Sequence, residues 1–435
     1  MSELLATELA ARRPPLDPTV SPAVLFDVVQ MVMSRCRGGY AVTVLINGCG
    51  ILAFRDPHGV RPLCLGARPG GSGLDGGGGS QPSSGDILIG AGGGIVSVDG
   101  RRGGVSGRRS GKMDLAVASE SAALTGLGFS LKRDVRAGEA VFLDVRTGSV
   151  SSRDCAPSLP CRREGREGDG VDAGGGGGGS MPFRFKPCLF EYVYMARPDS
   201  ILDGVPVYAA RREMGLKLAN KIAREILPVG EVDVVVPVPE TSRVAALHCA
   251  ASLGLPFEEG LTKNRQGVWR TFIMPGQAFR LQNVRKKLSA VSCVLEGRSV
   301  LLVDDSIVRG NTSREIVRIV REAGARKVYF CSASPPVRHP NCYGIDLPRQ
   351  SDLLAFGLEE SEIAEAIGAD AVVFQDLSVL EDCISGLRPD AFPQGFENSM
   401  FTGEYLASAD LMEGDPGEGM ESGVSIGGGG VVDVI

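Results

Sequence analysis

Apolar positions fall into two textures along the 435 residues. In the first, Val24 to Met33 repeats at helical spacing and predicts an amphipathic helix. Tyr40 to Ile46 and Ile51 to Phe54 read as strands, and a turn at Asp56-Pro57-His58-Gly59 leads into the apolar Val60 to Leu65. Ordered patterning resumes at Leu115 to Leu127 and at Ala140 to Val145. From Cys188 the chain alternates helices with continuous apolar runs. Met214 to Leu227 is helical by period and stops before Pro228. Val232 to Val238 is a β-branched run, the pattern of a strand covered on both faces. Val244 to Leu253 reads as a helix ending at Gly254, and Ser299 to Val303 as a second buried strand. Thr312 to Ala323 sets Ile316, Val317, Ile319 and Val320 on one helical face before Gly324, and Lys327 to Ser332 gives a third strand. This order predicts an α/β region with a parallel sheet and flanking helices.

Glycine refines the boundaries. There are 60 glycines, about twice the usual share, and many fall in tracts at 76–79, 92–94, 174–179 and 427–430. Such tracts bury no apolar surface and read as linkers. They predict insertions at 68–112 and 151–186 inside a first domain (1–186), a second domain (187–405), and a loose, acidic, glycine-rich tail (406–435).

Charge and cysteine then narrow the function classes. The formal net charge of −6 argues against a nucleic-acid binder, which usually carries a basic excess. No apolar run approaches the roughly eighteen residues of a membrane span, and the first residues resemble no secretory or transit leader. The 11 cysteines include no C-x-x-C pair, which suits reduced thiols better than a disulfide framework. Only three histidines are present, too few for a zinc site of the common spacing.

The strongest chemical signal is Val300-Leu301-Leu302-Val303-Asp304-Asp305-Ser306-Ile307-Val308-Arg309-Gly310-Asn311-Thr312-Ser313. A buried strand ends in two carboxylates, and a short glycine-containing loop enters a helix through Thr312 and Ser313. Ligands of open α/β sheets gather at the carboxyl ends of strands, and a helix N-terminus favours phosphate. Gly310 permits close backbone approach. Paired carboxylates beside an anion-binding loop suit sugar hydroxyls and a hydrated Mg²⁺. An acidic pair after a strand, or a Ser/Thr cap, is by itself commonplace; the whole string is the signal. It lacks the Gly-Lys-Ser/Thr ending of a P-loop.

That string resembles the phosphoribosyl pyrophosphate (PRPP) signature of type I phosphoribosyltransferases. Further segments narrow the resemblance to the amidophosphoribosyltransferases, the glutamine-dependent family that opens purine nucleotide synthesis. They are Phe54 to Leu63, Ala118-Ser119-Glu120-Ser121, Cys188 to Ser200, Pro237-Val238-Pro239-Glu240-Thr241-Ser242 and Arg270-Thr271-Phe272-Ile273-Met274-Pro275-Gly276-Gln277. The resemblance covers nearly everything from about residue 20 to Tyr405 except the two insertions. It implies a type I phosphoribosyltransferase sheet at 187–405, preceded by a partial Ntn-hydrolase (glutaminase) α+β sandwich. It also implies a pentosyltransferase reaction, in which ammonia displaces pyrophosphate from C1 of PRPP to give phosphoribosylamine.

By the same resemblance, Asp304 and Asp305 contact the ribose hydroxyls and Mg²⁺. Ser306, Arg309, Gly310, Thr312 and Ser313 belong to the cradle of the 5-phosphate. Ser242 helps hold Mg²⁺ and pyrophosphate, beside the plainer role of capping the following helix. Lys263 is a catalytic cation at the root of a loop running to Lys287 that folds over PRPP in the family. Arg280, Arg285, Lys286 and Lys287 read first as a solvated face of that loop, and ligand contact is the second reading. Gln266-Gly267-Val268-Trp269 replaces a shorter, Tyr-containing link, a departure that bears on closure.

The family's glutaminase half begins with a Cys whose α-amine assists attack on glutamine. This chain reads Met1-Ser2-Glu3, and the family's glutamine-binding stretches are not found. The expectation is therefore a missing front part, either real or an incomplete gene model, with no glutaminase nucleophile and with ammonia as donor. Cys49-Gly50-Ile51 imitates the usual start but precedes Phe54 to Leu63, a segment deep inside that half, so Cys49 reads as a strand residue. Ser2 reads as structural. Some relatives carry an iron–sulfur cluster. Cys188 is ligand-like in place, but Glu397-Asn398-Ser399-Met400-Phe401 lacks a Cys-x-x-Cys and Cys342 is one position off, so no cluster is expected. Gly71-x-Gly73-x-x-Gly76 and Gly423-x-Ser425-x-Gly427 are chance matches in low-complexity sequence.

Competing readings are a PRPP-sensing regulator without turnover, and a catalytically inactive homologue. The resemblance further implies purine nucleotides as feedback ligands, glutamine as donor if an upstream segment exists, and a homo-oligomer. The expected location is the cytoplasm, with a plastid as the alternative should a targeting segment precede Met1.

Overall fold

The computed structural model describes residues 1–12, 21–69, 98–100, 113–145, 147–157, 185–226, 231–264, 288–347, 349–406 and 433–434. The chain divides into two compact units. One comprises Met1–Pro187, Ala391–Gly395 and Val424–Ile435; the other comprises Cys188–Asp390 and Phe396–Gly423.

The first unit begins with helices Ser2–Arg12 and Pro22–Arg35. The second is capped by the Ser21 hydroxyl, which accepts from the Ala23 N–H, and Pro22 suits a first-turn position. It buries Leu25, Phe26, Val28, Val29, Val32 and Met33. Eight strands follow: β1 (Ala41–Ile46), β2 (Gly50–Arg55), β3 (Cys64–Pro69), β4 (Val98–Gly100), β5 (Met113–Ala118), β6 (Ser130–Asp134), β7 (Glu139–Asp144) and β8 (Val150–Asp154). One sheet runs β1-β2-β7-β8, with the terminal Asp433–Val434 pairing in parallel with Leu45 and Ile46; the other runs β4-β5-β3-β6. Every residue of β2 and β7 is buried, as central strands require.

Several expectations are corrected here. Arg68 and Pro69 belong to β3 and Val98–Gly100 pairs with β5, so strand pairing continues into the expected first insertion. The second expected insertion begins inside β8, whose Ser151 to Asp154 pair with β7. Cys155 and Phe185 are also buried. The alternating side chains of β8 are too polar to stand out beside a glycine tract. Cys49 is buried, but it closes a turn ahead of β2 and is not a strand residue. Residues 407–432 of the expected tail lie outside the described residues.

The second unit carries the four-stranded parallel sheet β11-β14-β15-β16. Its strands are β11 (Val234–Pro237), β14 (Ser299–Asp304), β15 (Lys327–Ser332) and β16 (Ala371–Phe374). Short pairs β9 (Ile201–Leu202) with β10 (Val205–Pro206), and β12 (Leu261–Lys263) with β13 (Leu288–Ala290), are antiparallel. β16 is a fourth strand that the sequence reading omitted, because Ala371-Val372-Val373-Phe374 is too short to separate from a helix by period. Helix Val207–Glu225 starts seven residues ahead of the expected Met214. It packs on helix Arg243–Leu253, where Gly215 lets it approach closely: a Cβ there would lie 2.2 Å from the Ala245 carbonyl oxygen. Helix Asn311–Glu322 buries Ile316, Val317 and Val320 against β14 and β15. The expected stops hold, since Gly254 (φ +68) and Gly324 (φ +93) take left-handed conformations.

Candidate functional site

β14 lies between two parallel neighbours, pairing Val300 with Val234 and Val328, and Asp304 with Ser332. Its six residues are all buried. An interior strand of this kind must be apolar until it leaves the sheet, so Asp304 and Asp305 mark the exit. The parallel sheet gathers the segments after β11, β14 and β15 at one carboxyl edge. Val238 donates its N–H to Val303 and Ala333 donates to Asp304.

The loop after β14 is built from short-range bonds. The Asp304 carboxylate accepts the Asp305 N–H at 2.8 Å, and the Asp305 carboxylate accepts the Ser306 hydroxyl at 2.7 Å. Ile307 is fully buried and pins the loop, and the Leu354 N–H donates to the Val308 carbonyl. Gly310 adopts φ +71, and a Cβ there would lie 2.5 Å from Leu354 Cδ2. Only glycine meets both demands. Gly310 then caps helix Asn311–Glu322, whose first-turn N–H groups have no partner within the helix. Thr312 is exposed at this end, whereas Ser313 is 3% exposed and turned inward. Arg309 reaches the Asp346 carbonyl at 3.4 Å, and its Nε is buried without a protein partner.

Burial pushes the Asp304 carboxyl well above the usual carboxylate range, and the neighbouring Asp305 pushes it further. Burial also raises Asp305, against hydrogen bonds from Ser306 and Thr241 and the charge of Arg211. Two crowded, buried carboxylates repel one another when ionised, so a cation brought between them is favoured. Among the described residues no group of three or more His, Cys, Asp or Glu is arranged to hold a metal. The pair offers two carboxylate ligands, which fits Mg²⁺, an ion that keeps waters and takes one or two carboxylates plus substrate phosphates.

Ser242 is 1% exposed, and its hydroxyl donates to the Val238 carbonyl. It occupies the N-cap position of helix Arg243–Leu253, but its side chain makes no capping bond, so the capping role is not made. Its neighbour Thr241 is the residue that reaches Asp305. The peptide between Pro239 and Glu240 is cis. Lys263 stands at the end of β12, opposite Leu288, with its side chain exposed. Gln266 to Trp269, Arg280, Arg285, Lys286 and Lys287 lie outside the described residues.

The structure therefore brings Asp304, Asp305 and Ser306 together, with Gly310 and Thr312 at the head of the helix. It adds three side chains to which the sequence reading gave no role. Thr241 and Tyr194 lie inside motifs that drew attention for other residues. Burial raises the Tyr194 hydroxyl first, and the charges of Asp305 and Asp304 raise it further, which sets it near the pair. Arg211 is 3% exposed and donates to the Tyr192 and Ala196 carbonyls at 2.9 and 2.8 Å. An arginine on an apolar helix face, in line with Val207, Met214 and Leu218, was the available signal.

No family model matches the chain. Among curated proteins it is similar to the amidophosphoribosyltransferase of Pseudomonas aeruginosa, 41% identical over 403 residues, covering 93% of this chain and 66% of that protein. The Escherichia coli and Schizosaccharomyces pombe proteins of that name are 42% and 39% identical, covering 88% and 94% of this chain and 62% and 66% of their own lengths. The chain thus spans about two thirds of the curated relatives it matches. Among solved structures it resembles the Bacillus subtilis glutamine PRPP amidotransferase complexed with ADP and GMP. The TM-score is 0.63 at 30% identity, covering 93% of this chain and 70% of that one. A second structure, described as the allosteric regulatory enzyme of purine biosynthesis, gives 0.62 at 31% identity and covers 68% of its chain. With this agreement in sequence and fold, the chain belongs to the amidophosphoribosyltransferase family.

Proposed function

We propose that the unit carrying β14 binds PRPP with magnesium and transfers its phosphoribosyl group to ammonia, forming 5-phosphoribosylamine, the entry reaction of purine nucleotide synthesis. The observation that carries this reading is the under-neutralised Asp304–Asp305 pair at the end of β14, followed at once by a glycine-capped helix N-terminus. In this reading Asp304 and Asp305 accept hydrogen bonds from the ribose hydroxyls. Ser306, Arg309, Gly310 and Thr312 hold the 5-phosphate with their amides, hydroxyls and positive charge. Ser313, buried one residue on, shapes the first helical turn. Lys263 supplies a cation to the pyrophosphate. Magnesium held by Asp304 and Asp305, with Ser242 and Thr241 beside them, supplies charge neutralisation on the departing pyrophosphate.

The nitrogen lone pair forms the new bond to C1 as the bond from C1 to the pyrophosphate oxygen breaks. The bonding electrons leave with pyrophosphate, and the nitrogen then loses a proton to water. Ammonia is the proposed donor for the unit carrying β14; Cys49, the one residue of the first unit that imitates the family's nucleophile, is buried in a turn. Glutamine serves where a glutaminase nucleophile is joined to it, and Met1–Pro187 is read as part of that glutaminase half. Purine nucleotides as feedback ligands and a homo-oligomer complete the reading, in keeping with the ADP and GMP held by the Bacillus subtilis relative. The test is pyrophosphate release by the purified chain from PRPP and Mg²⁺, with ammonium chloride or with glutamine. Turnover with ammonium alone is expected. PRPP binding without turnover favours a sensing role, and glutamate release from glutamine overturns the choice of donor.

A further inference from the structure

One buried guanidinium ties three parts of the second unit together. Arg211 faces inward on helix Val207–Glu225, in line with Val207 and Met214, and is 3% exposed. A charge in such a place is costly unless its donors are met. Arg211 spends them on a five-residue π-helical turn, Glu191–Met195. There the Ala196 N–H donates to the Glu191 carbonyl at 2.9 Å, five residues back. In an α-helix that N–H would go to the Tyr192 carbonyl. The Tyr192 carbonyl accepts from Arg211 Nε instead, at 2.9 Å, and the Ala196 carbonyl accepts from Nη2 at 2.8 Å. The planar fork thus spans the turn, a bridge that the point charge of a lysine reproduces poorly.

Wide turns of this kind recur at functional sites, and the orientation of this one is fixed. Glu191, Tyr192 and Val193 are buried. The Tyr192 hydroxyl donates to the Leu202 carbonyl at 3.2 Å, and its ring meets Phe396 edge-on at 6.3 Å. Tyr194 turns the other way, 47% exposed, with its ring 5.8 Å from that of Phe190. The charges of Asp305 and Asp304 act on its hydroxyl, and the charge of Arg211 acts on Asp305. A half-exposed phenol beside the acidic pair is placed to meet a ligand rather than to fill the core.

We infer that Arg211 is a positioning residue of the phosphoribosyl site: by clamping the turn it holds the Tyr194 hydroxyl where it hydrogen-bonds the sugar that Asp304 and Asp305 bind. The inference rests on the phosphoribosyl reading and adds to it one residue that touches the sugar and one that acts through it.

A double-substitution cycle on the full chain tests this, read in kcat/KM for PRPP with Mg²⁺ and ammonium chloride and in PRPP affinity by calorimetry. Tyr194→Phe removes one hydroxyl and should lower kcat/KM about tenfold. Arg211→Lys keeps the charge, loses the fork and should lower it by a similar factor. The two together should lose little more than either alone, because both remove the same contact. A merely structural Arg211 gives losses that multiply. Multiplied losses therefore overturn the inference, as does full activity in Arg211→Lys or in Tyr194→Phe. Thermal unfolding confirms that each variant is folded, and Arg211→Gln is the second variant at that position. Where the unsubstituted chain binds PRPP without turnover, the same cycle is read in the dissociation constant. Absence of PRPP binding by the unsubstituted chain overturns the phosphoribosyl reading itself, and this inference with it.

Discussion

Two buried carboxylate sites in this chain show what separates a structural acid from a reactive one. Asp56 follows β2 and is fully buried. Its oxygens accept the N–H groups of His58, Val60 and Arg61 at 3.0 Å and of Tyr40 at 3.3 Å. Burial raises its carboxyl, but those backbone donors and the adjacent Arg55 all oppose the rise. Arg55, equally buried, donates to the carbonyls of Arg61, Val135 and Gly59. Every charge there is answered from within the chain. At Asp304 and Asp305 the opposing groups are the Asp305 and Ser306 N–H groups, the Ser306 and Thr241 side chains and the charge of Arg211, against two carboxylates rather than one. The first site is closed to chemistry because it is satisfied. The second needs something brought from solution.

The comparison can be broken by substitution. The largest expected effect is on turnover: Asp304→Asn should lower ammonia-dependent pyrophosphate release by about 10²-fold or more, the scale of losing a preorganised electrostatic contact. Asp56→Ala should leave the phosphoribosyl chemistry to one side and destabilise the fold by about 3 kcal/mol, since it strands the buried Val60 N–H and three part-buried ones. Thermal or urea unfolding reads this. A smaller loss, about 2 kcal/mol, is expected for Gly310→Ala, which combines a left-handed backbone with a clash against Leu354.

The last effect is the most diagnostic in sign. Both carboxyls of the Asp304–Asp305 pair are raised on folding, so between the ordinary carboxylate range and those raised values the folded state binds more protons than the unfolded one. Metal-free stability should therefore fall as pH rises through that window and level off above it. Asp305→Asn should reduce this slope, and Asp304→Asn combined with Asp305→Asn should flatten it. Urea unfolding across pH 4 to about 8 in EDTA measures it; a slope that survives undiminished in the double variant contradicts the assignment.

Much of this was legible in the residues because both sites sit at sharp changes of pattern. The run Val300–Val303 has to be buried, and the carboxylates after it have to mark where the strand leaves the sheet. The string Phe54 to Leu63 was recognisable too, although its role as an internal donor ring needed coordinates. What escaped the reading has physical causes. β16 is only four residues long, and β8 alternates too weakly against nearby glycine. Arg211 sits in a helix that carries no motif, and its meaning depends on carbonyls 15 and 19 residues away. Thr241 and Ser242 are adjacent, and only the turn geometry decides that Thr241 faces Asp305 while Ser242 bonds Val238.

Calorimetric titration of PRPP in the presence of magnesium, at a pH inside the raised carboxyl window and in buffers of differing ionisation heat, tests the central claim most directly. The account predicts saturable binding accompanied by proton release, with both lost in Asp304→Asn. Absence of binding, or binding of equal strength and proton count in that variant, would contradict it.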